Sequence, residues 1–173
     1  MSPLPRVESL VGDLLPSVES AIDGEPPSTA AIDAASSAAR VDRMMAMAHL
    51  PATAHITLIG HRTLPLLLAL LQRGCAAVRS LRPGAPSPDC EAADLAWIVD
   101  LQGDSELDDA LHAARSRIGA NGRVVVEGAN CVCRDGLMSI RDRAVALGLD
   151  VISFDHKARR LVLGAPPRLA LVA

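Results

Sequence analysis

Aromatic residues are almost absent from this chain. Trp97 and Phe154 stand alone, and there is no tyrosine. Proteins that hold single-stranded nucleic acid stack its bases on aromatic rings, and this chain has no such platform. Its core must be aliphatic, drawn from Leu, Val, Ile, Ala and Met. Lysine is as scarce: among 17 basic residues only Lys157 is not arginine. Together with abundant alanine, that usage points to a GC-rich bacterial source. The formal net charge is −3, which leaves no positive surplus to attract a polyanion. Nucleic acid is therefore not an expected partner.

Cysteine is sparse and poorly spaced for metal. Cys75, Cys90, Cys131 and Cys133 form no C-x-x-C pair, and a structural zinc site needs two such pairs or their histidine equivalents. No metal site is expected, and buried reduced thiols in a cytoplasmic protein are the simplest reading. Long apolar runs are also missing. Leu64 to Leu71 is the most apolar stretch, far short of the ~20 residues that span a bilayer. Met1 to Pro5 lacks the charged start of a signal peptide. No membrane partner is expected. Neither a G-x-G-x-x-G fingerprint nor a P-loop occurs. There is no G-x-S-x-G elbow either, so Ser139, Ser153 and His156 make no serine hydrolase.

What remains is an aliphatic chain of 173 residues, half of them hydrophobic, enough for one domain with a sizeable core. Residues 1–50 read as a helical segment packed on the core. Val7, Leu10, Val11, Leu14 and Val18 recur at helical spacing until Pro16 interrupts them. Ser28 or Thr29 can cap a second helix running to about His49, with Met44, Met45 and Met47 at packing positions. Residues 51–173 read as an α/β unit. His55 to Gly60 is a strand, Thr63 to Arg73 a helix stopped by Gly74, and Cys75 to Leu81 a second strand, which together make a βαβ unit. Arg82 to Ala92, with three prolines and a glycine, is a loop. Asp94 to Leu101 is a third strand, apolar enough for burial on both faces. Asp104 or Ser105 caps a helix to about Ile118. Asn121-Gly122 turns the chain into a fourth strand, Arg123 to Glu127. A helix from Asp135 to Leu147 and a hairpin, Val151–Phe154 with Arg160–Leu163, close the chain. The expected fold is a three-layer, doubly wound, mostly parallel Rossmann-like sheet ending in an antiparallel hairpin.

The final helix and hairpin, with the turn before RVVVEG, make the layout from Ala54 onward similar to the class I S-adenosylmethionine-dependent methyltransferases. That family's first strand leads into a glycine-rich turn, because only glycine lets backbone approach the cofactor closely. Here Ile59-Gly60-His61-Arg62-Thr63-Leu64-Pro65 carries one glycine. The family's second strand ends in an acid for the ribose hydroxyls. Val78-Arg79-Ser80 takes that place, and arginine cannot accept those bonds. The proline-rich loop replaces the family's next helix and third strand. The resemblance thus implies a degenerate relative: a non-catalytic interaction or assembly module, expected as a homodimer or bound to a protein partner. No bound cofactor is expected. The alternative is a small-molecule methyltransferase or another small-ligand-binding protein, for which the resemblance implies S-adenosylmethionine.

Ligands of open α/β sheets sit beyond the C-terminal ends of the strands. Asp100 and Glu127, each following an apolar run, are the candidate catalytic carboxylates. Each also has a plainer reading: Asp100 as a loop aspartate, Glu127 as the partner of an arginine such as Arg79. Gly60, His61 and Arg79 are the candidate cofactor-binding residues. His61 could serve as a general base or metal ligand; its plainer reading is a cap of the following helix or an exposed side chain.

Overall fold

A computed structural model of the chain describes residues 29–51, 53–85, 92–128 and 136–165, with the backbone alone at 29–34. The expected helix at residues 7–18, and Cys90, Cys131 and Cys133, lie outside the described residues.

The order of elements is α1 (Thr29–Ala48), β1 (His55–Gly60), α2 (Leu64–Gln72), β2 (Ala77–Leu81), β3 (Ala93–Val99), α3 (Asp104–Arg117), β4 (Ile118–Glu127), α4 (Gly136–Ala146), β5 (Asp150–Asp155) and β6 (Arg160–Gly164). The strands form one sheet in the order β2-β1-β3-β4-β6-β5. The pairs β1–β2, β1–β3 and β3–β4 are parallel, whereas β4–β6 and β5–β6 are antiparallel. This is the doubly wound, mostly parallel sheet with a closing hairpin.

Side chains alternate across a strand, and here both faces are covered. Ile56 and Leu58, Leu95, Trp97 and Val99, Val125 and Val162 point toward α1 and α2. Ile59, Ala96 and Ile98, Val124 and Val126, Leu161 and Leu163 point toward α3 and α4. The two aliphatic layers explain why the central strands read as unbroken apolar runs. In α1, Val41, Met44 and Ala48 are buried at helical spacing, and the Ala48 carbonyl accepts a bond from Arg123.

Two local expectations are corrected. The Asn121-Gly122 turn does not precede the fourth strand but lies inside β4. Ala93 pairs with Ile118 and Leu95 with Arg123, so the register advances further on β4 than on β3. Gly122 is needed in that bulge: a Cβ there would stand 2.8 Å from Ile118 Cβ and 2.9 Å from the Ala93 carbonyl. The second correction concerns α3, whose N-cap is Gly103, with no side-chain cap bond. Asp104 lies inside the helix, in the acidic first turn that suits its dipole.

Candidate functional site: an arginine-closed carboxylate pair

The structure brings Asp100 and Glu127 together at the C-terminal ends of β3 and β4, and it does so through arginine. Glu127 is 8% exposed. Its Oε1 accepts bonds from Arg160 Nε at 2.8 Å and Nη2 at 2.5 Å. Antiparallel register sets this contact, since Glu127 and Arg160 are directly paired at the ends of β4 and β6. Its Oε2 accepts from Arg40 Nε at 2.7 Å. Arg40 comes from α1. Its Nη1 lies 3.9 Å from Asp100 Oδ2, and its guanidinium carbon stands 5.6 Å from the centre of the buried Trp97 ring. One arginine thus bridges both candidate carboxylates and rests on the chain's one tryptophan. Asp100 itself adopts φ 50°, a left-handed conformation that aspartate tolerates through its short polar side chain.

Glu127 does not pair with Arg79. That residue is not at a strand tip: β2 begins at Ala77, so Arg79 lies mid-strand opposite Thr57, exposed on the outer strand. Ser80 beside it meets the Thr63 hydroxyl at 2.5 Å.

Gly60 ends β1 with φ 144°. A Cβ there would lie 1.8 Å from the Val99 carbonyl oxygen. The absent side chain therefore lets β3 pass. His61 pairs instead with Glu106: its Nε2 lies 3.0 Å from Glu106 Oε1 in the first turn of α3. Glu106 Oε2 accepts from the Gln102 backbone at 2.7 Å. That bond first, and His61 second, hold the Glu106 carboxyl below its ordinary range. His61 does not cap α2, whose N-cap is Thr63.

Elsewhere, a cleft of about 200 Å³ lies beside α4 and the hairpin turn, lined by Gly128, Gly136, Leu137, Met138, Ile140, His156 and Arg159. His156 packs edge-on against Phe154, ring centres 4.1 Å apart. Among the described residues no group of three or more His, Cys, Asp or Glu could hold a metal ion, and no helix is long and apolar enough to cross a membrane.

Sequence reasoning missed Arg40 and Arg160. The hairpin carried a signal for Arg160, because it returns the chain antiparallel to the strand that ends at Glu127. Arg40 gave none: it lies 87 residues from Glu127 in sequence.

No family model matches the sequence, and no curated protein does. Solved structures do match. A TehB-like SAM-dependent methyltransferase from Corynebacterium glutamicum superposes with TM-score 0.55 at 16% identity, over 75% of this chain and 88% of that one. The CcbJ methyltransferase from Streptomyces caelestis gives 0.53 at 12%, over 73% and 89%. The glycopeptide N-methyltransferase MtfA, complexed with sinefungin, gives 0.51 at 8%, over 75% and 94%. The fold is that of the class I S-adenosylmethionine-dependent methyltransferases. At these identities the likeness concerns the fold alone, and the methyltransferase-like domain must be judged on its own residues.

Proposed function

We propose that this methyltransferase-like domain is non-catalytic and serves as an interaction or assembly module, with a homodimer as its first form. The observation that carries the reading is the Arg40–Glu127–Arg160 network. A base must offer a free lone pair to the substrate proton, and a cofactor hydroxyl needs a free acceptor. Guanidinium N–H groups take three of the four acceptor sites of the Glu127 carboxylate, and Asp100 faces the same Arg40. The Gly60 backbone, where such folds receive S-adenosylmethionine, is packed against the Val99 carbonyl. At the tip of β2 stand Leu81 and then Arg82, and neither side chain can accept hydrogen bonds from ribose hydroxyls. These residues do not fit that cofactor, and no step is assigned to it.

Support for assembly comes from the outer surface. Met138 and Val145 on α4, with Val151 and Ile152 on the edge strand β5, are exposed large hydrophobics at one end of the sheet. Such patches on soluble domains mark contact surfaces.

Two measurements test the reading. Titration calorimetry with S-adenosylmethionine and S-adenosylhomocysteine should give no binding heat. Saturable binding of either would overturn the reading in favour of a small-molecule methyltransferase. Size exclusion with light scattering should give a mass near twice 18.1 kDa, and a strict monomer at micromolar concentration would count against the homodimer.

A further inference from the structure

The cleft beside α4 has two unlike walls and a graded depth. On the helix side Ile140 is buried, Leu137 half-buried and Met138 largely exposed. On the hairpin side His156 and Arg159 are both exposed, which puts them at the mouth. Gly128 lies between the walls. A Cβ there would come within 3.4 Å of both the Arg159 carbonyl oxygen and Leu137 Cδ2, so the missing side chain keeps the floor clear.

The positive charge at the mouth is unanswered. Among the described residues no acid lines the cleft, and the Arg159 side chain makes no hydrogen bond or ion pair. The acid nearest in the turn is Asp155, and its Oδ1 is taken up by the Lys157 and Ala158 backbone amides at 2.9 and 3.0 Å. Arg159 itself is held at φ 50°, a conformation unfavourable for a long side chain, while its carbonyl accepts from the Gly128 amide at 2.9 Å. The His156 ring is set edge-on against Phe154.

We propose that this cleft binds a small aliphatic carboxylate, with its tail against Leu137, Met138 and Ile140 and its head at Arg159 and His156. A guanidinium fork matches the two oxygens of one carboxylate, and an imidazole N–H adds a further donor. A phosphoryl group brings three oxygens and about two charges, more than one fork and one ring answer. The volume of about 200 Å³ lies below the ~300 Å³ at which pockets for drug-sized ligands begin. The tail is therefore a single short chain. This goes beyond the assembly reading and does not rest on it: Arg40, Glu127 and Arg160 do not line the cleft.

Nitrogen-15 amide spectra of the full-length chain, titrated with sodium octanoate, test the proposal. Saturable shifts should appear at Gly128, Leu137 to Ile140 and His156 to Arg159, with half-saturation at about 1 mM or below. Arg159→Asn keeps a residue that tolerates the left-handed backbone and should weaken binding at least about tenfold. Octan-1-ol, with the same tail and no charge, should bind the unsubstituted protein at least about tenfold more weakly, which puts the same question without a substitution. Acetate, with the head and no tail, should be as weak. Four results would overturn the proposal: no saturable shift with octanoate up to about 10 mM; saturable shifts centred on other residues; octanol or acetate equal to octanoate; and undiminished octanoate binding in a folded Arg159→Asn.

Discussion

Single residues at the strand tips differ in what their charge does. Glu127 is buried with Arg160, and each oxygen is used. Neutralising one member of a buried pair leaves the other charge uncompensated, a loss of about 3 kcal/mol. Glu127→Gln should therefore lower stability by roughly that amount, read as a shift in the urea midpoint at unchanged slope. Asp100 is partly exposed, and its contact with Arg40 is long at 3.9 Å. Such pairs contribute little, and asparagine tolerates the left-handed backbone as aspartate does. Asp100→Asn should stay within about 0.5 kcal/mol of the parent. Equal losses from the two variants would mean that Arg40 carries most of its energy through Asp100. The same contrast shows what the sequence could and could not reveal at this scale. Both carboxylates were visible as acids closing apolar runs. Which of them is tied most closely to guanidinium groups depends on Arg40, a side chain on a helix far away in sequence.

At the scale of elements, much of the order was legible because it rests on local periodicity. Apolar runs bounded by glycine and proline marked β1, β3 and β4, and the acidic start with arginines at the end marked α3. The β4 bulge was not legible, because Asn121-Gly122 is a turn signal in isolation and only pairing with Ala93 absorbs it into a strand. The start of β2 shifted because Cys75 is buried rather than paired, while its end at Leu81 leaves Arg79 mid-strand, short of the tip. At Gly60, a candidate cofactor-binding residue in the sequence, the structure adds a packing constraint from the Val99 carbonyl, which no local pattern shows. Gly60→Ala should consequently destabilise by more than about 3 kcal/mol, since the obstacle is backbone and the φ is positive. A folded alanine variant with parental melting temperature would refute that constraint. The β1–α3 link is pH-sensitive in a fixed direction. Glu106 has its pKa lowered, chiefly by the Gln102 amide. Its stabilising effect is present above the unfolded-state carboxylate value, about 4.3, and is lost as the pH falls through the lower folded value. The melting-temperature gap between the parent and Glu106→Gln should be widest near neutral pH and close on acidification below the ordinary carboxylate range. A gap that is constant with pH would remove the ionised carboxylate from the account.

At the scale of the whole molecule, the sheet has two outer strands among those described, and they are guarded differently. A charged residue in mid-strand discourages pairing with another chain, and β2 carries Arg79 there, exposed opposite Thr57. On β5 the charges stand at the ends, Asp150 and Asp155, while Val151 and Ile152 occupy the middle. Direct antiparallel pairing of two β5 strands would set Asp150 against Asp155 at both ends, which like charges oppose. The irregular register between Val151 and Ser153 also interrupts the edge. A dimer at this end of the sheet is therefore expected to form through side-chain faces, β5 and the outward side of α4, related by a two-fold axis. Ile152 is the residue to change: it is 52% exposed and leans over Gly164 without entering the core. Ile152→Glu should give a monomeric mass by light scattering at about 10 µM, where such interfaces are normally populated, and should keep a melting temperature within a few degrees of the parent. In the same assay Leu68→Ser should leave the mass unchanged, because α2 packs at the β2 end of the sheet, far from β5. If Leu68→Ser dissociates the dimer and Ile152→Glu does not, the exposed face of α2, not the outer edge at β5, is the contact between copies.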